Sequence, residues 1–142
     1  MRIKKSKLLM TFEQLCTELE KRALREIDVC AMHTRFGDQV AYSLSIARLG
    51  LFAVLTSDSA AKHVRVITMK LLAGNEKTTD AEIHTVHQDD IRTMAFLVTH
   101  FFYEAMRGND LGDLYSAFPD VDSHRKVVEI SRTQIDLSGF PA

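Results

Sequence analysis

Val40-Ala-Tyr-Ser-Leu-Ser-Ile-Ala-Arg-Leu-Gly-Leu-Phe-Ala-Val-Leu55 is the stretch on which the fold turns. Within it Val40, Leu44, Ala47, Leu51 and Leu55 recur at steps of three and four, the spacing that aligns side chains along one face of an α-helix. Gly37-Asp38 supplies a turn immediately upstream, with Asp38 as an N-cap. Gly50 weakens such a helix but lets a neighbouring helix approach closely. The reading that follows is an amphipathic helix from about residue 39 to 55.

Upstream, Thr11-Phe12-Glu13-Gln14 matches a capping box. Phe12, Leu15, Cys16, Leu19, Ala23, Ile27 and Cys30 then form one apolar stripe, which predicts a first helix running to about residue 33. Downstream, Ser59 caps a third segment with Ala60, Val64, Ile67 and Leu71 on one face, closed by Gly74-Asn75. Residues 63–69 also alternate and are β-branched, so a short strand is the alternative there.

Thr79-Asp80-Ala81-Glu82 reads as a second capping box opening a long periodic region, Ile83 to Met106, with a break near Asp89 as an alternative. Its face of Ile91, Met94, Ala95, Val98, Phe101, Phe102 and Ala105 predicts the central helix of the core. Leu111 to Phe118 suggests a short helix closed by Pro119, and Asp122-Ser123 offers a cap for a last segment to about Ile135. Residues 127–132 again carry a strand-like alternation. The expected fold is mainly all-α: a single-domain antiparallel bundle of four to six helices over residues 11–142, preceded by a flexible basic arm at residues 1–10.

Composition agrees with one globular domain: 142 residues, 46% hydrophobic and 26% charged. Cys16 and Cys30 are the only cysteines, too few for a disulfide framework, and the longest mostly apolar run, Leu44 to Leu55, contains Arg48 and is too short to span a bilayer. These features predict a cytoplasmic protein without a membrane segment. Residues 1–70 carry +5 and residues 71–142 carry −6, an asymmetry that favours self-association or an oppositely charged partner.

The most chemical-looking cluster is His84, His87 and Asp90, whose steps of three bring them to one side of a helix, with imidazole and carboxylate suited to a divalent transition metal. Completing ligands would come from His63, His100, Glu104 or His124. The competing account has Asp89 and Asp90 charging a helix N-terminus, and no cofactor is the expectation. Cys30 and His33 with Cys16 leave a zinc tetrahedron incomplete, and core packing explains the cysteines better. His100 and Glu104, one helical turn apart, form a candidate acid–base pair, but a surface contact or a histidine at the edge of the Phe96, Phe101 and Tyr103 cluster explains them better. Gly74-Asn75-Glu76-Lys77-Thr78 lacks the glycine spacing of a phosphate loop.

Arg2, Lys4, Lys5 and Lys7 in the arm, with Lys21, Arg22 and Arg25 on the first helix, are the candidates for salt-sensitive nucleic-acid attraction. A pI near 6.6 and the lack of a helix-turn-helix register count against that role. Phe96, Phe101, Phe102, Tyr103 and Met106 make one helix apolar over most of its circumference, which calls for a second surface to cover it. The expected function is accordingly a non-catalytic helical protein–protein interaction module, a small regulatory or assembly protein, docking that face on a protein partner or on itself as a homodimer. The alternatives are a metal-dependent helical enzyme using His84, His87 and Asp90, or a nucleic-acid-associated regulator using the basic N-terminal region.

Overall fold

The computed structural model describes residues 6–22, 30–36, 39–46, 49–58, 62–70, 78–107 and 127–136. In it the deciding stretch is extended. Strand β2 (Gln39–Ile46) and strand β3 (Leu51–Asp58) pair antiparallel, with Tyr42 opposite Leu55, Leu44 opposite Ala53 and Ile46 opposite Leu51. Gly50 enters β3 at φ 66°, the left-handed region that glycine occupies without steric cost.

The sequence pattern misleads here for a geometric reason. A step of four residues is even, so it keeps a side chain on one face of a strand as well as of a helix. Only the three-residue steps discriminate, and Leu44 to Ala47 is the single such step in the supposed stripe. Tyr42-Ser-Leu-Ser-Ile46, by contrast, alternates at every position.

The hairpin is the middle of a larger sheet. Strand β1 (Cys30–Phe36) precedes β2, while β4 (His63–Lys70), β5 (Thr78–His87) and β6 (Val127–Asp136) follow β3, all antiparallel in the order β1-β2-β3-β4-β5-β6. Helix α1 (Lys7–Arg22) comes before the sheet, and α2 (Ile91–Arg107) lies between β5 and β6 in the chain. The expected all-α bundle is therefore replaced, among the described residues, by a six-stranded antiparallel meander with two helices. Residues 63–69 and 127–132, where alternation competed with helical spacing, lie within β4 and β6. Thr79 and Glu82 imitate a capping box but sit in β5, where the Thr79 hydroxyl donates to the Lys70 carbonyl at 2.9 Å.

Both helices lie side by side on one face, α1 nearest β3 and α2 nearest β4. Leu8, Phe12, Leu15 and Leu19 of α1 meet Met94, Ala95, Phe96, Val98 and Phe102 of α2 over Tyr42, Leu44, Leu55, Val66 and Val86 of the sheet. Phe12 stacks on Tyr42 with ring centroids 5.1 Å apart. The opposite face is buried as well: Ala41, Val54, Ile67, Met69 and Ala81 form a second cluster flanked by Phe52 and Ile83. A strand buried on both faces loses its polar alternation and reads as a continuous apolar run, which is why β3 resembles a buried helix.

Helix α1 is capped by Ser6, whose hydroxyl accepts the Leu9 N–H at 3.1 Å, not by Thr11. Thr11 is buried within the helix and donates its hydroxyl to the Gln88 carbonyl at 3.3 Å, tying α1 to the end of β5. Residues 7–10, expected in a flexible arm, are thus helical, and residues 30–33, expected at the end of this helix, lie in β1, with residues 23–29 outside the described residues. Residues 1–5 lie outside the described residues. Asp90 caps α2: its carboxylate accepts the Thr93 N–H at 3.2 Å and the Thr93 hydroxyl at 2.8 Å. Among the described residues no helix is long and apolar enough to cross a membrane.

Candidate functional site

Polar groups with unusual surroundings gather where β5, β6 and α2 meet. Val66 pairs with His84 and Val64 with Val86, and Val64, Val66 and Val86 all belong to the helix-side core. Glu82 and His84 therefore project from β5 on the face that carries the helices. His84 Nε2 lies 3.0 Å from Glu82 Oε1, and Arg132 of β6 donates from Nε to Glu82 Oε2 at 3.3 Å. On α2, His100 Nδ1 lies 3.5 Å from Glu104 Oε2, and the His100 ring sits 5.7 Å from that of Phe96.

The His84 side chain is only 12% exposed, and its Nδ1 is buried without a hydrogen-bond partner. Burial holds its pKa below 6.5; the Glu82 carboxylate opposes that shift, and the charge of His100 adds to it. The neutral imidazole donates from Nε2 to Glu82, which leaves the Nδ1 lone pair enclosed, a penalty of about 1–3 kcal/mol. Beside this cluster Asp80, Ala81, Glu82, Arg132, Thr133 and Gln134 line an open groove of about 600 Å³ along the β5–β6 ladder.

Strand β6 itself is the second feature of this corner. It is the last strand of the sheet, it is ten residues long, and among the described residues only β5 pairs with it. Residues 129–134 are all exposed, so both faces of the strand meet solvent; Ile130 is 60% exposed and the Arg132 side chain 84%. Its pairing with β5 is regular from Asp136 back to Glu129, and a bulge at Thr85/Val86 then shifts the register. Bulges bend an edge strand and limit how far pairing can extend.

The other residues singled out from the sequence are dispersed. The two histidines of the supposed metal triad stand three apart on a strand, so His84 faces the helices and His87 faces the other way, where it is exposed. His87 Nδ1 accepts the Asp89 N–H at 3.2 Å, while Asp90 is engaged as the α2 cap. No group of three or more His, Cys, Asp or Glu among the described residues is arranged to hold a metal ion. His63 lies opposite His87 across the β4–β5 ladder, and His124 falls outside the described residues. Compared with protein-family models, curated proteins and solved structures, the chain matches none of them.

Of the apolar helix face, Phe96 and Phe102 are buried in the chain's own core, and Phe101 is partly buried against it. Tyr103 and Met106 belong to the last turns of the same helix. Among the basic candidates, Lys7 is held by Asp89 at 2.6 Å, whereas Lys21 and Arg22 lie at the far end of α1. Arg2, Lys4, Lys5 and Arg25 are outside the described residues. Cys16 is half-buried, and burial together with Glu20 pushes its thiol up to about 11, so it is an unreactive packing residue. Cys30 is the first residue of β1, away from α1 in the chain order.

Sequence reasoning overlooked Glu82 and Arg132, which only strand pairing brings together. The signal was available in the two-residue spacings Glu82-x-His84 and Ile130-x-Arg132, each of which places a pair on one face of a strand.

Proposed function

We propose that this chain is a non-catalytic protein-interaction module that works by receiving an additional β-strand along the outer edge of β6, which pairs with no other strand among the described residues. The observation that carries this reading is the exposure of β6 on both faces from residue 129 to 134, at one end of a sheet whose central strands β2 to β4 are largely buried on both sides. An edge strand presents a row of unpaired backbone N–H and C=O groups, and proteins that avoid pairing blunt such edges with proline, lysine or a covering element. Val127-Val-Glu-Ile-Ser-Arg-Thr-Gln-Ile-Asp136 contains neither proline nor lysine, while Glu129, Arg132 and the bulge at Thr85/Val86 restrict which strands it can receive.

In strand addition, main-chain hydrogen bonds supply affinity, and pockets beside the edge select side chains. The groove lined by Asp80, Glu82, Arg132 and Gln134 is positioned for the second role, with carboxylates suited to a basic side chain of the incoming strand. Phe96 and Phe102, which suggested a docking helix, are used internally.

Selection of linear peptides against the folded chain, followed by amide hydrogen exchange of the complexes, tests this reading. Strand addition expects selected peptides with alternating β-branched residues that slow exchange in residues 129–134. Protection centred on α2, on β1, or nowhere in the sheet would overturn it.

A further inference from the structure

We infer that His63 and His87 form a two-histidine chelate for a divalent transition ion of the zinc or copper class, on the face of the sheet away from the helices. The site lies apart from the outer edge of β6, and it stands or falls independently of strand addition there.

Strand pairing carries the inference. His63 and His87 stand directly opposite each other at one end of the β4–β5 ladder. The Gln88 N–H donates to the Lys62 carbonyl at 3.0 Å, which makes Lys62 and Gln88 a hydrogen-bonded pair in the same register. Pair types alternate along an antiparallel ladder, so the adjacent His63–His87 pair is of the non-hydrogen-bonded kind, in which Cα atoms come within about 4.5 Å and side chains are closest. Val64 and Val86, the next rung, face the helices, so both imidazoles leave the sheet on the opposite side. Two imidazoles rooted this close can each bring one nitrogen to a shared ion, at about 2.0–2.1 Å, by side-chain rotation alone. His63 is half-buried and His87 exposed, so an ion reaches them from solvent.

Asp89 supplies the outer support. Lys7 holds its Oδ1 at 2.6 Å, and its Oδ2 lies 3.8 Å from His87 Nδ1. The hydrogen bond from Lys7 keeps this carboxyl below its ordinary pKa, so it is ionised. In the structure His87 Nδ1 accepts the Asp89 N–H, which places the imidazole proton on Nε2. With a cation on Nε2 the proton sits on Nδ1 instead and is donated to the Asp89 carboxylate, the arrangement that orients metal-bound histidines and raises their basicity. Water fills the remaining coordination positions, because no group of three His, Cys, Asp or Glu converges among the described residues. Imidazole nitrogen selects zinc, nickel or copper over magnesium, which prefers oxygen.

Calorimetric titration of the full chain with Zn²⁺ near neutral pH tests the site. One ion per chain is expected, with Cu²⁺ binding more tightly than Zn²⁺ and Mg²⁺ giving no heat. Asp89→Asn should weaken Zn²⁺ binding by about 10–100-fold, and His63→Gln or His87→Gln should weaken it further. His84→Gln is the control: its imidazole faces the helices, so Zn²⁺ binding should not change. Circular dichroism verifies that each variant is folded.

A measurement on the wild-type chain needs no variant. Zn²⁺ should shift the imidazole NMR resonances of His63 and His87 and leave those of His33 and His100 in place. Absence of Zn²⁺ binding, binding indifferent to both histidine substitutions, shifts confined to other histidines, one ion for every two chains, or Mg²⁺ heats equal to those of Zn²⁺ would each overturn the inference.

Discussion

Phe102→Ala distinguishes a helix that closes the core from a helix that offers its aromatic face to a partner. Phe102 is 0% exposed and lies among the helix-side core residues. Truncating a buried phenylalanine costs about 3–5 kcal/mol, of which burial of the side chain accounts for about 1.5–3 and the residual cavity for the rest. Met94, Ala95 and Val98 of the same helix are 0% exposed and pack in the same cluster, so α2 has little freedom to shift and fill the space. The upper half of that range is expected. A domain of this size is stable by about 5–15 kcal/mol, so a third or more of the total is at stake.

Urea unfolding followed by far-ultraviolet circular dichroism measures the change, with Phe101→Ala as the control. Phe101 is only partly buried, and its truncation should cost about half as much. A loss below about 1 kcal/mol for Phe102→Ala, or one no larger than the control, would refute the placement of this ring in the core.

Two further outcomes follow from hydrogen bonds and from titration. Asp90→Ala removes both acceptors of the α2 cap and should destabilise the fold by about 1 kcal/mol in the same urea assay, while Asp90→Asn or Asp90→Ser restores most of it. His84 has a folded pKa below the 6.5 of the unfolded chain, so the unfolded chain binds more protons in between. Its contribution to stability is therefore fully present above 6.5, is lost as pH falls toward the folded value, and levels off below that value. The difference in stability between wild type and His84→Gln, followed by urea midpoints from pH 7.5 to 4.5, should decline on acidification; a rise would contradict the burial argument.

The two helices were legible in the sequence in part, and for a definable reason. Leu8, Phe12, Leu15 and Leu19 combine steps of four and three, and Met94, Ala95, Val98 and Phe102 do the same, so their spacing excludes a strand. Exact ends were not legible: Ser6 and Asp90 cap the helices, while Thr11 offered an equally good capping box within α1. β4 and β6 carried visible alternation. β2 was lost although Tyr42-Ser-Leu-Ser-Ile46 alternates, because four-residue steps from Val40 to Leu55 imitate a helix, and β3 was lost because its two faces are both buried and its sequence reads as a continuous apolar run.

The candidate site turns on the same parity. Read as a helix, residues 84, 87 and 90 converge and residues 82 and 84 point apart; read as a strand, Glu82 and His84 share a face and His87 leaves it. A single error of period therefore replaced one cluster with another, although every residue in both clusters was in view. Arg132 joins only through pairing between strands separated by α2, a long-range contact that no local spacing encodes. That contact also makes β6 part of the site: Arg132 reaches across the ladder to neutralise Glu82, which in turn faces His84. Arg132→Gln should thus shift the imidazole resonances of His84 in an NMR spectrum, whereas resonances that do not move would refute the link through Glu82.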